Sequence, residues 1–197
     1  MGNIIQYLKA DFRALRYART SPSKARLLME AFLNYSFRIV IRVRLSHALY
    51  SKGLAGKVLA KFLYWQNLRR SVDINPKAKI GPGLRLAHPV AVTIGEDACI
   101  GSYAHILQNV TIGGNSGKKI ERPEGIQSMP RIGNFIRIGA GAVLAGPISI
   151  GDYVIIGANS VLTSDLPDYA TAAGIPATII QQGQGPHSLG LSLIFAP

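Results

Sequence analysis

Few side chains in this 197-residue sequence can move a proton near neutral pH, and they are spread thinly: four histidines, His47, His88, His105 and His187, and a single cysteine, Cys99. His88 stands out. It lies in the stretch LRLAHPVAVTIG, Leu84 to Gly95, where a regular pattern in the flanking sequence is interrupted. A neutral imidazole can take the proton of an alcohol too weakly acidic to react alone. A carboxylate on its other nitrogen fixes the tautomer and stabilises the imidazolium that forms. The plainer alternative for His88 is a loop histidine capping a backbone carbonyl. His47 sits in a helical pattern and His187 in a C-terminal tail, and neither is expected to have a chemical role. His105 follows His88 by 17 residues, but no H-x₄-H or cysteine pair supplies a further ligand, so no metal is expected. Cys99 cannot form an intrachain disulfide and reads as a small apolar residue.

The interrupted pattern is a six-residue repeat. Ile74, Ile80 and Leu86 are spaced by six, as are Ile94, Ile100, Ile106 and Ile112, and then Ile132, Ile138, Leu144, Ile150, Ile156 and Leu162. Glycine often follows the aliphatic, and a small or apolar residue such as Ala98, Val110, Ala142 or Ser160 comes four positions on. Hexapeptides of this kind predict a parallel β-helix, in which each unit is a short strand with one inward aliphatic and stacked coils bury a continuous column. The count slips twice. Leu86 to Ile94 is two residues too long, and Ile112 to Ile132 exceeds a multiple of six by two. Insertions in a solenoid project as loops, and loops on a rigid scaffold carry function. One insertion contains His88. The other, GGNSGKKIERPEGIQSMPR, is a polar, Gly-rich arm.

Residues 1–71 are different. From Ser21 to about Arg70 the apolar positions recur at helical spacing and predict two or three helices, with Ser21–Pro22 as a start and Gly53 and Gly56 as breaks. FRIVIRVRLSHALY is read as helix, because Arg38 and Arg42 share a face. The predicted organisation is a basic helical region over 1–71, a β-helix over 72–180 with the arm at 113–131, and a tail over 181–197. The net charge of +12 belongs wholly to the first region: fourteen Lys or Arg face only Asp11 and Glu30 there, whereas residues 72–197 hold eight of each sign. Such a module is either a solvated helical face or is attracted to anionic lipid headgroups or another polyanion. Nucleic acid ranks lower, for want of a recognition motif. The 48% hydrophobic content excludes disorder of the whole, and no apolar run approaches the roughly 18 residues of a membrane span. With charges where a secretory signal carries its apolar stretch, a cytoplasmic location is expected, at the inner face of the membrane if the basic region binds lipid.

The segments VDINPKAKIGPGLRLAHPVAVTIG, ILQNVTIGG and YATAAGIPATII, spanning about Asp73 to Ile180, resemble the hexapeptide acyltransferases of left-handed β-helix fold, most closely their serine acetyltransferase branch. The resemblance implies three units per coil, about 18 residues, and an acetyl-CoA-dependent O-acetyltransferase assembled as a homotrimer. It makes His88 the general base on an acceptor hydroxyl that attacks the thioester, and Asp73, fifteen residues earlier, the group that orients it. Acetyl-CoA is then expected in a groove between neighbouring prisms, its pantetheine arm along Ala140, Ala158 and Thr163 and its adenine near the turn Gly174, Ile175 and Pro176. A basic residue that often follows this turn is replaced by Thr178, which leaves the CoA phosphates to Lys118 and Lys119.

The sequence also departs from that branch. Ala87 stands where an acidic residue precedes the histidine, and Ser128 and Met129 stand where an arginine and a second histidine close the long loop. A serine zwitterion needs partners of both charges, whereas a sugar hydroxyl needs neither. On that ground the expected acceptor is a sugar hydroxyl of a bacterial surface polysaccharide or its precursor, as in the O-acetyltransferases of capsule, exopolysaccharide and lipopolysaccharide assembly that the chain also resembles. Serine O-acetylation and a non-catalytic trimeric β-helix scaffold are the alternatives.

Overall fold

The computed structural model describes residues 3–18, 20–123 and 125–185. Four helices come first: α1 (Ile4–Arg16), α2 (Lys24–Leu33), α3 (Tyr35–Tyr50) and α4 (Gly53–Leu68). The first three begin where a polar side chain satisfies a free N–H: Asn3 accepts from Ile5, Ser23 from Arg26 and Asn34 from Phe37. The expected start at Ser21–Pro22 thus falls at Ser23. α1 lies ahead of the region read as helical, and its buried stripe, Ala10 to Phe12, includes a charged residue, Asp11. The expected break at Gly56 is also corrected. Gly56 lies inside α4, where a Cβ would collide with the Leu49 carbonyl, so its missing side chain lets α3 and α4 approach closely.

The hexapeptides form a left-handed parallel β-helix. Its first sheet contains β1 (Val72–Ile74), β4 (Val92–Ile94), β7 (Thr111–Gly113), β12 (Val143–Ala145) and β15 (Val161–Leu162). The second contains β2 (Lys79–Ile80), β5 (Cys99–Ile100), β10 (Arg131–Ile132) and β13 (Ser149–Ile150). The third contains β3 (Arg85–Leu86), β6 (His105–Ile106), β11 (Arg137–Ile138), β14 (Ile155–Ile156), β16 (Ala170–Gly174) and β17 (Ala177–Gln182). Register places like on like: Ile74, Ile94, Ile112, Leu144 and Leu162 form one inward ladder, and Leu86, Ile106, Ile138 and Ile156 another. All are buried, each contributing about 1.5–3 kcal/mol of apolar transfer. Because Ile112 pairs with Leu144 across the arm, the long insertion leaves the coil without disturbing its register.

The corners are locked by side chains from the next coil. Asn134 accepts from the Ser102 N–H, Asp152 from the Asn134 N–H and Asp168 from the Asp152 N–H. Tyr103, Phe135, Tyr153 and Tyr169, all in the left-handed region, stack along the same corner with ring centroids 5.2, 4.7 and 5.3 Å apart. At the far end the winding stops: β17 turns back antiparallel on β16, and β17 runs to Gln182, two residues past the expected boundary. The rest of the tail, with His187, lies outside the described residues from 186 onward.

Candidate active site

His88 lies in the turn between β3 and β4, on the edge where the third sheet passes into the first. Four bonds hold that turn: Ser36 Oγ on α3 donates to the Ala87 carbonyl at 3.4 Å, the Ala87 N–H to the Ile106 carbonyl at 3.3 Å, the Val90 N–H to the His88 carbonyl at 2.8 Å, and the Asn109 N–H to the Val90 carbonyl at 2.9 Å. Ala91 takes φ 51°, a left-handed conformation that Asn109, Gly141 and Asn159 repeat at the same corner. The His88 side chain is exposed, and its imidazole makes no hydrogen bond to any described residue, so it is not the carbonyl cap of the plainer reading.

The same edge continues coil by coil. The Gly141 N–H donates to the Gln108 carbonyl at 3.0 Å, and the Asn159 N–H to the Ala140 carbonyl at 2.8 Å. Ser160 Oγ then accepts from the Gly174 N–H at 3.2 Å. His88, Gln108, Ala140, Ala158 and the turn Gly174–Ile175–Pro176 therefore follow one another down one edge of the prism. Gln108 was not singled out from the sequence, although it sits in ILQNVTIGG, and its buried Oε1 has no partner among the described residues. Thr163 follows β15 and lies across the first sheet from that edge. Lys118 and Lys119 are exposed in the arm, which also leaves from the opposite edge. The arm is a hairpin of β8 (Ile120–Arg122) and β9 (Gly125–Gln127). Arg122 pins it to Asp165 at 2.8 Å, and Gln127 to the Ile148 carbonyl at 2.8 Å. Within one chain these lysines are apart from His88.

Asp73 faces outward from the middle of β1 and makes no hydrogen bond to His88. Its Oδ1 accepts instead from the Tyr64 hydroxyl of α4 at 2.7 Å. Burial, reinforced by the Asp73 carboxylate, pushes the Tyr64 hydroxyl up to about 12, so Tyr64 stays protonated and holds the aspartate in place. No sequence signal marks Tyr64 beyond its position nine residues before Asp73. His105 lies on the third sheet, its backbone in register with Arg85 and Arg137; burial and those two guanidiniums bring it down to about 3. His47, buried in α3, is brought down to about 4 by burial and Arg44, against the opposing bond to the Asn75 backbone.

A hollow of about 820 Å³ lies away from this edge, between the helices and the second sheet, and is lined by Tyr7, His47 and Cys99 among others. None of the expected catalytic or cofactor residues reaches it. It is open and mostly apolar, and His88 lies outside it.

Residues 129–164 match the family described as bacterial transferase hexapeptide (six repeats). Over 162 residues the chain is 38% identical to a serine acetyltransferase of Helicobacter pylori, covering 79% of this chain and 88% of that one. It is 39% identical over 147 residues to the enzyme of Haemophilus influenzae, covering 74% of this chain and 52% of that one. The chain thus spans about half the length of several of its curated relatives. The structure superposes on a Neisseria gonorrhoeae serine acetyltransferase in complex with serine, with TM-score 0.74 and 33% identity, over 90% of this chain and 69% of that one. A serine acetyltransferase in complex with CoA gives TM-score 0.72 and 34% identity, over 90% and 69%. These likenesses overturn the expected polysaccharide acceptor. That expectation rests on Ala87, Ser128 and Met129 and on a resemblance to polysaccharide O-acetyltransferases, whereas the likeness to serine acetyltransferases extends through both the helices and the prism. The chain belongs to the serine acetyltransferase family of hexapeptide-repeat transferases.

Proposed function

We propose that the chain transfers the acetyl group of acetyl-CoA to the hydroxyl of serine. The observation that carries this reading is the single prism edge along which an exposed, unpartnered His88 is followed by Gln108, the small residues Ala140 and Ala158, and the Gly174 turn. Four coil spacings of about 4.8 Å make this about 19 Å, the scale of an extended pantetheine arm. Its thioester would end beside His88 and its adenine beside the Gly174–Pro176 turn. The relatives that hold serine and CoA support this assignment of acceptor and donor.

In this mechanism the His88 imidazole removes the hydroxyl proton as the serine oxygen forms a bond to the acetyl carbonyl carbon. The tetrahedral intermediate collapses with breakage of the C–S bond, and the imidazolium returns its proton to the departing thiolate, giving O-acetylserine and CoA thiol. Asp73, held in place by the Tyr64 hydroxyl, acts on His88 as a positioning residue once the two approach in the loaded enzyme. An exposed base needs water excluded around it. A homotrimer, in which a neighbouring prism covers the edge, would provide this and would bring a neighbour's Lys118 and Lys119 toward the CoA phosphates.

The test is release of CoA thiol from acetyl-CoA in the presence of serine, with threonine, glycerol and water as competing acceptors. Serine-dependent thiol release that disappears in His88→Ala, while CoA still binds, is the expected result. Thiol release without preference for serine would overturn the acceptor, and full activity in His88→Ala would overturn the mechanism. Light scattering at micromolar concentration checks the trimer.

A further inference from the structure

The outward face of α4 is apolar. Leu54, Val58, Phe62 and Trp65, at spacings of four, four and three, occupy the side opposite the buried Gly56, Ala60 and Asn67. They are 81, 62, 50 and 48% exposed, and Phe62 and Trp65 stack at 6.2 Å. A helix that is apolar on both faces requires a cover on the second. Lys57, Lys61 and Arg69 border the stripe, with Arg69 lying 4.9 Å over the Trp65 ring. From α4 the basic surface continues through Arg70 to Arg42 and Arg38 of α3; partial burial, and then repulsion from Arg70 and Arg38, lower the Arg42 pKa. Arg38 in turn donates to the Phe32 carbonyl at the end of α2, where Phe32 is 79% exposed.

Among the described residues this charge has no counterpart. Of the two acids in residues 1–71, Asp11 is bound to Arg44 and Glu30 to Arg16. Among the other described acidic side chains only Asp97 and Glu121 are not already held by a cation, a hydroxyl or backbone N–H groups. A second copy could cover the apolar stripe in any symmetry, but it would bring too few free carboxylates to meet the surrounding cations.

We infer that α4, with the adjoining basic surface of α3, is a docking site for an anionic lipid bilayer. Leu54, Val58, Phe62 and Trp65 enter the headgroup boundary, and the lysines and arginines extend from its margins to the lipid phosphates. Among the described residues no helix is long and apolar enough to cross a membrane, so the attachment is peripheral. The inference is independent of the acetyl-transfer reading.

The full chain is sedimented with vesicles of phosphatidylcholine alone and with vesicles containing about 30% phosphatidylglycerol, at low and high salt. Binding to the anionic vesicles only, weakened by salt, is expected. Phe62→Ser with Trp65→Ser, and separately Lys57→Glu with Lys61→Glu, should each lower partitioning at least tenfold, with thermal unfolding and assembly mass unchanged. Failure of the full chain to bind anionic vesicles, equal binding to neutral ones, or undiminished binding by both variants would overturn the inference. A fall in assembly mass in Phe62→Ser with Trp65→Ser would assign the face to a second copy. Retention on polyglutamate without vesicle binding would assign it to an acidic protein. Either result overturns the bilayer.

Discussion

Asp11 of α1 and Arg44 of α3 face each other in a two-point ion pair, with Nε to Oδ2 and Nη2 to Oδ1 both at 2.8 Å, and both side chains are buried. Each partner also grips the first coil. Asp11 Oδ1 accepts from the Gly83 and Leu84 N–H groups at 2.8 and 2.7 Å, and Arg44 donates to the Ile80 and Gly81 carbonyls, each at 2.7 Å. Asp11→Ala should therefore leave a buried guanidinium and two backbone donors unpaired, costing about 3–5 kcal/mol. Chemical denaturation measures the loss. Asp11→Asn, which keeps an acceptor, should cost less.

His88→Ala is expected to lower serine-dependent turnover by about 10² to 10⁴, the usual contribution of a positioned base. Tyr64→Phe tests the hydroxyl that fixes Asp73. It should lower kcat severalfold and leave the KM for acetyl-CoA unchanged, whereas a purely structural role for Tyr64 would lower thermal stability and leave kcat alone.

Ala87 offers no charge to the ammonium group of serine. Ala87→Asp, placing a carboxylate beside His88, should lower the KM for serine by about an order of magnitude, as expected for a charge-assisted hydrogen bond worth about 1.5–3 kcal/mol. Steady-state kinetics with serine, compared with the uncharged acceptor glycerol, separates this from a general effect on His88. Only the serine KM should move.

Stability should fall on acidification. His47 and His105 are neutral in the folded chain, down to about 4 and about 3, while in the unfolded chain they take up protons near 6.5. Below about 6.5 the unfolded state binds protons that the folded state refuses, so stability is lost as pH falls, by about 1.4 kcal/mol per pH unit for each histidine within its window. The window closes near 4 for His47 and near 3 for His105. Urea unfolding between about pH 6.5 and 4.5 should show this slope, and His105→Gln should make it shallower.

The prism was legible because one inward aliphatic every six residues leaves no other economical way to bury Ile74 through Leu162. The two slips in that count located the His88 turn and the arm without any structural knowledge. What holds these parts was not legible. Asp11 and Arg44 are 33 residues apart and read as ordinary charges on helical faces. Tyr64 gains its meaning only when α4 packs on β1, and Asn134, Asp152 and Asp168 look like turn residues until the coils are stacked. The acceptor was not legible for a different reason: Ala87, Ser128 and Met129 lack the charges that a serine zwitterion calls for, whereas the likeness to serine acetyltransferases is spread over most of the chain.

A wound parallel sheet is in principle an open-ended polymer, since its last strand presents to solvent the same row of donors and acceptors that every earlier strand used. Each end of this prism carries a local block to further winding. At the start, Asp11 and Arg44 take the backbone groups of Ile80, Gly81, Gly83 and Leu84, one corner of the first coil that a preceding coil would otherwise meet. At the finish, β17 runs in the wrong direction for another parallel strand to follow. At these two places a second copy of the chain cannot lengthen the prism by carrying on its parallel winding.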